Sequence, residues 1–255
     1  MNSPARMCLT ALAGLPLVRP GDDLAALIVD ALAGNGETLA AGDVLVVAQK
    51  IVSKAEGRLV RLADVTVTDE ARALAAKVGK DPRLVSLILA ESAAVIRAVK
   101  GVLIVAHKRG YVHANAGIDQ SNIGADDAAL LLPQDPDASA ARLRAALRAR
   151  TGADVAIIIN DSAGRAWRLG VCGFALGSAG LTALDDQIGN ADLFGRPLAV
   201  TQVAVADELA AAASHLMGQA GEGAPVVLVR GARFSASDAG ADMLLRPPAE
   251  DLFRA

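Results

Sequence analysis

The sequence predicts an α+β protein, with mixed β-sheets and flanking helices. Three observations carry this. Short apolar runs alternate with amphipathic helical stretches, their order keeps no strict βαβ rhythm, and the loops that mark the common nucleotide folds are missing. There is no G-x-x-x-x-G-K run ending in Ser or Thr, hence no P-loop, and no strand-linked G-x-G-x-x-G, hence no Rossmann motif. No G-x-S-x-G elbow marks a hydrolase. The 255 residues read as one domain, 1–255, long enough to hold two closely packed subdomains.

Met7 to Leu12 reads as a strand that ends in the turn-like Gly14-Leu15-Pro16. Pro20-Gly21-Asp22-Asp23 then opens a helix to Leu32, with carboxylates in its first turn, where the helix dipole favours them. Val44 to Ala48 is a buried strand that runs into the Lys-rich Gln49 to Arg58, and its hairpin partner is expected at Leu59 to Leu62. Helices follow from Asp69 to Val78 and from Asp81-Pro82, an N-cap followed by proline at the first helical position. Strands are expected at Ala94 to Val99 and Val102 to Ala106, and the polar, glycine-containing His113 to Asp127 is expected as loop.

A helix runs from Asp135-Pro136 to Arg150, and its Arg142, Arg144, Arg148 and Arg150 read as a solvated face. The strand Val155 to Ile159 ends at Asn160-Asp161-Ser162. Leu198 to Val205 is expected as strand, Ala206 to Met217 as helix and Pro225 to Val229 as strand, with roughly the last 25 residues less regular.

Apolar residues make up 53% of the chain and aromatics only 2%, so the core is built from Ala, Val, Leu and Ile. A formal charge of -3 speaks against nucleic-acid or membrane-surface binding, and any anion site must be a local concentration of Lys and Arg. The two cysteines, Cys8 and Cys172, lie far apart without metal-type spacing and are expected as reduced thiols. No apolar run reaches membrane-span length and Met1-Asn2-Ser3-Pro4 begins no signal peptide, so a cytoplasmic protein is expected.

Four clusters could carry chemistry. Lys50 and Lys54 fall on one side of their segment whether it is strand or helix, and like charges so placed repel unless water or an anion stands between them. A polyphosphate suits such a site, and the bland alternative is a solvated strand end. Asn115-Ala116-Gly117-Ile118-Asp119-Gln120-Ser121-Asn122 gathers amides, a carboxylate and a hydroxyl, or is a turn-rich surface loop. Asp161-Ser162 follows a buried strand, as a divalent-cation site would, or forms an Asx turn. Arg165 and Arg168, just beyond, could clamp a phosphate or carboxylate. The loop Met217 to Ala224 offers backbone N–H groups, but it follows a helix C-terminus, so it is no helix-N-terminus phosphate site and a flexible C-cap loop is its bland reading. His107, His113 and His215 lack zinc-type company, and one or more of them reads as a satisfied structural histidine.

Taken together, Gly14-Leu15-Pro16-Leu17-Val18, QKIVSKAEGR, NAGIDQSN, the Asn160 to Arg168 stretch and LMGQAGEG with its following strand resemble, in order and over nearly the whole chain, the coenzyme F420:L-glutamate ligase family. That family comprises GTP-dependent γ-glutamyl ligases of deazaflavin coenzyme biosynthesis, and the resemblance implies an F420 ligase-like fold. It implies that GTP is held by Leu15, Pro16, Leu17 and Val18, by Gln49, Lys50 and Lys54, by Asn122, and by Met217, Gly218, Gln219, Ala220, Gly221, Glu222, Gly223 and Ala224. It implies one divalent cation, Mg²⁺ or Mn²⁺, on Asp119 and Asp161 and a second on Ser162 and Gln219, with K⁺ as a further expected ion. Lys54, Asp119 and Asp161 are the expected catalytic residues.

Many members carry Ser-Asp-Thr where this chain has Asn160-Asp161-Ser162, which keeps the hydroxyl; they use small polar residues in place of Gln49-Lys50. Some carry a C-terminal nitroreductase-like domain that this chain is too short to include, so only the ligase activity is implied. The implied partners are small molecules, namely GTP, L-glutamate and the deazaflavin precursor, with a homodimer whose active site lies near the subunit interface. The implied reaction passes the γ-phosphoryl group to the precursor's carboxylate, and L-glutamate then takes the acyl group. Two readings stand beside it, an amide ligase for a different acid or amino acid and a non-catalytic GTP-binding relative.

Overall fold

From its N-terminus the chain forms β1 (Cys8–Ala11), α1 (Leu24–Gly34), β2 (Val44–Ala48) and α2 (Gln49–Ala55). Next come β3 (Leu59–Arg61), α3 (Asp69–Val78), α4 (Pro82–Glu91), β4 (Ser92–Val99), β5 (Val102–His107), β6 (Val112–Ala114) and β7 (Ala128–Leu130). The remainder holds α5 (Pro136–Thr151), β8 (Ala156–Arg165), β9 (Arg168–Ala179), β10 (Asp185–Asp186), β11 (Gln202–Val203), α6 (Val205–Met217) and β12 (Val226–Arg230). These elements are those of a computed structural model that describes residues 5–251; residues 1–4, read above as beginning no signal peptide, lie outside it. Among the described residues no helix is long and apolar enough to cross a membrane.

The main sheet has the order β1-β12-β2-β8-β9, in which only β2 and β8 are parallel, so the mixed α+β architecture stands. Its inner strands β12, β2 and the first half of β8 are buried on both faces. Leu45, Val47, Ile157 and Ile159 pack with α1 and α5, while Val44, Val46, Ile158 and Val227 pack with α6. That explains why β2 and the start of β8 read as unbroken apolar runs rather than alternating ones. A second sheet, β4-β5-β6, packs with α3 and α4 around Val85, Ile88, Leu103 and Val105. Helix starts follow their caps: Asp23, Thr68, Asp81 and Asp135 each accept a hydrogen bond from a backbone N–H in the first turn.

Several expectations need correction. The Lys-rich segment is helix, beginning at Gln49 directly after β2, so no hairpin forms there; β3 pairs antiparallel with β7 instead. Helix α1 starts at Leu24 with Asp23 as its N-cap and no acidic residue in its first turn. The segment expected as loop from His113 begins inside β6 and continues through a 3₁₀ turn at Asn115–Gly117. The expected strand Leu198 to Val205 shrinks to β11, because Val200 is exposed and only Asp185–Asp186 offers a partner. Arg142, Arg148 and Arg150 do lie on an exposed face of α5, but three of its arginines are also clips: Arg142 binds Glu56, the half-buried Arg144 binds Asp154 and the Val155 carbonyl, and Arg150 binds Asp23.

Strand β9 went unread because its glycines break the pattern. They are there for packing. A Cβ at Gly173 would stand 2.5 Å from Ser214 Cβ and 2.6 Å from the Ala210 carbonyl of α6; one at Gly177 would collide with the Pro136 backbone of α5. A bulge opposite Ile159 and Asn160 lets glycines four apart face opposite helices. Arg58, at the end of the Lys-rich segment, is a clasp: its Nε donates to the Leu132 carbonyl at 2.9 Å and its Nη2 meets Glu91 Oε2 at 2.8 Å.

Two stability outcomes follow from these contacts. Gly177→Ala should lower unfolding stability by about 1–3 kcal/mol, since backbone of α5 must shift to admit a methyl. Arg58→Ala should cost about 1–3 kcal/mol by leaving Glu91 and the Leu132 carbonyl short of a partner. His107 and then Arg58 hold the Glu91 carboxyl below its usual range, so this contribution is complete above the ordinary glutamate pKa and fades as pH falls through the lowered value. Denaturant melts of both variants at neutral pH and below about pH 4 check the sizes and the sign.

Candidate active site at the end of the central sheet

Strand β2 stops at Ala48, opposite Asn160, while β8 runs on to Arg165 paired with β9 alone. The edge that β2 vacates opens into a cleft of about 760 Å³, a volume suited to a nucleotide. Residues 15–18, α2, the 122–124 turn, Asn160 to Ser162 and the whole 217–224 loop line it. The blocks singled out in the sequence therefore meet at one place, although Asp119 stands behind Lys50 rather than on the cleft wall.

Helix α2 carries the cationic side. Ser53 Oγ donates to Gln49 Oε1 at 3.0 Å, which turns the buried Gln49 amide so that Nε2 donates to Asp119 Oδ2 at 3.1 Å. Lys50 Nζ lies 3.3 Å from the same oxygen. One turn on, Lys54 Nζ donates to the Asn122 carbonyl at 2.8 Å. Burial first, and the charge of Lys50 second, push the Lys54 ammonium down from its ordinary pKa.

The 115–122 segment is more than a turn. Asp119 exchanges backbone hydrogen bonds with Leu130, N to O at 3.0 Å and O to N at 2.8 Å, which fixes its side chain toward α2. Gly117 is required: its φ is +71°, and a Cβ there would stand 2.7 Å from Leu132 Cδ1. Asn122, at φ 56°, donates from Nδ2 to the Ala220 carbonyl at 2.8 Å and so ties this segment to the glycine loop. Burial first raises the Asp119 carboxyl above its usual range; Asp161 adds to the rise and Lys50 offsets part of it.

Because side chains alternate along β8, Asp161 and Ser162 point to opposite faces, and no Asx turn forms. Ser162 Oγ donates to Gln219 Oε1 at 2.9 Å, and Gln219 Nε2 donates to Ser214 Oγ at 3.1 Å. Asp161 faces β6, where His113 Nε2 lies 3.4 Å from its Oδ2. His113 also places Nδ1 2.9 Å from the Ala114 carbonyl and packs on Phe174, with ring centroids 5.7 Å apart. Burial is the largest influence and opposes charge on this imidazole, yet Asp161, the Ala114 carbonyl and Asp119 together make the net direction upward.

His113 is not among the residues the sequence points to, and the structure adds it to the site. Only the pairing of β5 with β6 brings it to β8, a long-range contact with no local signal. The orphaned Oδ1 of buried Asn160 was likewise not singled out.

The glycine loop closes the cleft. Gly218 ends α6 at φ 72°, and a Cβ there would collide with the Glu222 carboxyl, which folds back to accept from Ala220 N at 2.8 Å. Arg165 and Arg168, expected as a clamp, pair across the exposed tip of the β8–β9 hairpin, beyond the cleft lining.

Among the described residues no group of three or more His, Cys, Asp or Glu stands at metal-binding spacing. Asp119 and Asp161 feel each other's charge, and Ser162 and Gln219 touch. All four offer hard oxygen atoms, which suits Mg²⁺ or Mn²⁺ with coordination completed by water and phosphate. Lysines on one wall and carboxylates beside them can hold and polarise a polyphosphate without a covalent role for the protein.

The model of the F420-0:Gamma-glutamyl ligase family matches residues 14–231. A coenzyme F420:L-glutamate ligase of Methanothermobacter thermautotrophicus is 48% identical over 96% of this chain and 98% of its own. Proteins of the same name from Methanopyrus kandleri and Archaeoglobus fulgidus are each 44% identical, over 93% and 94% of this chain and the same shares of theirs. Matches of this extent cover the cleft and both sheets together, and the chain belongs to the F420-0:Gamma-glutamyl ligase family.

Proposed function

We propose that this protein joins L-glutamate to the carboxylate of the deazaflavin coenzyme precursor at the expense of GTP, and then adds a further γ-linked glutamate. The observation that carries the reading is convergence: the sequence blocks shared with the family, spread over the chain, line one nucleotide-sized cleft. GTP lies along residues 15–18, Gln49, Lys50, Lys54, Asn122 and the 217–224 loop. Asp119 with Asp161, and Ser162 with Gln219, each hold one divalent cation, which neutralises phosphate charge and fixes the line of transfer. Their position on opposite faces of β8 suits two ions rather than one.

Lys54 orients the phosphate chain. The precursor's carboxylate oxygen forms a bond to the γ-phosphorus as the bond to the bridging oxygen of GDP breaks, giving an acyl phosphate and GDP. The α-amine of L-glutamate then attacks the acyl carbon, phosphate leaves with the bonding pair, and the amine proton is lost as the amide forms. Excluding water from the cleft protects the acyl phosphate from hydrolysis.

The same reading includes a homodimer. Leu169 is fully exposed at the hairpin tip beside Trp167, and Leu193 and Phe194 are 93% and 83% exposed on the 185–203 excursion. Apolar surface of this kind suits burial by a second copy.

Incubation with GTP, Mn²⁺, L-glutamate and the glutamate-free coenzyme should release GDP and phosphate and yield a product heavier by one glutamyl unit; no glutamylated product in mass analysis overturns the assignment. Asp161→Ala should lower kcat by at least about a hundredfold with an unchanged circular dichroism spectrum. In light scattering, the wild type should have twice the chain mass and Leu169→Arg combined with Phe194→Asp should shift it toward monomer.

A further inference from the structure

In the ligand-free site each carboxylate has a nitrogen side chain beside it, Lys50 at Asp119 and His113 at Asp161, and the two pairs differ in kind. His113 cannot leave Asp161: its ring is 10% exposed, bound through Nδ1 to the Ala114 carbonyl and packed on Phe174. Lys50 is free to leave Asp119. Its side chain is 29% exposed, reaches the carboxylate from the cleft wall through a flexible stem, and has among the described residues only Ser121 Oγ at 3.5 Å as a further polar partner. Asp119 Oδ2 keeps Gln49 Nε2 at 3.1 Å whether or not Lys50 stays, so the carboxylate remains aimed.

We propose that Lys50 is a displaceable counter-ion: it neutralises Asp119 in the empty site, yields that carboxylate to an incoming divalent cation, and moves onto the nucleotide's phosphates. An ammonium and a divalent cation on one carboxylate oxygen repel each other. The cleft offers the displaced ammonium no second carboxylate of its own, because Asp161 is held by His113, and Glu222 binds its own loop. A polyphosphate beside Lys54 is the anion within reach. Metal alone therefore binds against Lys50, whereas metal and nucleotide bind together with Lys50 satisfied, and the two become cooperative. The proposal rests on the ligase reading above and adds to it the order imposed by one lysine.

Lys50→Met, Lys50→Arg and the wild type separate the possibilities. Free Mn²⁺ is followed by electron paramagnetic resonance as the ion is titrated without nucleotide, and GTP binding is then measured by calorimetry at saturating Mn²⁺ without acid substrate. Lys50→Met should bind Mn²⁺ alone about tenfold more tightly and GTP with Mn²⁺ about tenfold more weakly, while Lys50→Arg stays near the wild type. A Lys50→Met protein with weakened GTP binding but unchanged or weaker Mn²⁺ binding overturns the counter-ion role and leaves Lys50 an ordinary phosphate ligand, with the ligase reading intact. A wild type that binds neither Mn²⁺ nor GTP overturns both.

Discussion

The early end of β2 is the constraint on which the site depends. While β2 and β8 run parallel from Val44 to Ala48, β2 is paired on both sides, by β12 and by β8, and Val44–Val47 against Ala156–Ile159 is an apolar run. At Gln49 the chain leaves the sheet as a helix, and β8 continues with one neighbour instead of two. A half-paired strand at the margin of a buried sheet is where polar side chains can project without being stranded in the core. Asn160, Asp161 and Ser162 stand there, and α2 swings its lysines across the vacated edge. The rule that ligands of open sheets bind beyond strand ends applies to this sheet, although it carries a single parallel pair.

Electrostatics then fixes the use of that space. A chain with formal charge -3 concentrates Lys50, Lys54 and His113 around Asp119 and Asp161. Asp119 has the Lys50 ammonium beside it and Asp161 the His113 imidazole, so the folded chain tolerates two partly buried acids within range of each other. The lowered pKa of Lys54 and the raised one of Asp119 share burial as their largest cause, which marks a partly dry site. Perturbed groups gathered in a cleft are the pattern expected where charge is handled during a reaction.

How much of this was legible in the sequence differs by element. Helices α3 and α5 and strand β5 were read closely, because caps such as Asp81-Pro82 and Asp135-Pro136 and unbroken apolar runs are local signals. Strand β9 was not, since Gly173 and Gly177 are dictated by helices distant in sequence and look like loop residues from within. The cleft's lysines, acids and glycine loop were legible as types, and their order along the chain matched the family. That Asp119 and Asp161 are each paired with a base was not, because Lys50–Asp119 and His113–Asp161 bridge long sequence separations. Arg165 and Arg168 show the opposite error: two arginines near a candidate site by number, yet at the far tip of a hairpin in space.

The alternation of β8 accounts for the separation of the ligand sets. One residue separates Asp161 from Ser162, and in a strand that puts their side chains on opposite faces. Asp161 is therefore governed by β6 and the 115–122 segment, through His113 and Asp119, while Ser162 is governed by α6 and its glycine loop, through Gln219. Alternation runs unbroken along β8, the extra residue of the bulge lying in β9; a one-residue slip of β8 would turn the carboxylate toward α6 and the hydroxyl toward His113. The close approach of α6 to Gly173 pins the helix against β9, and with it the point at which Gly218 turns the chain back over the cleft. Packing of glycine against helix, far from any reacting atom, is thus what keeps Gln219 opposite Ser162.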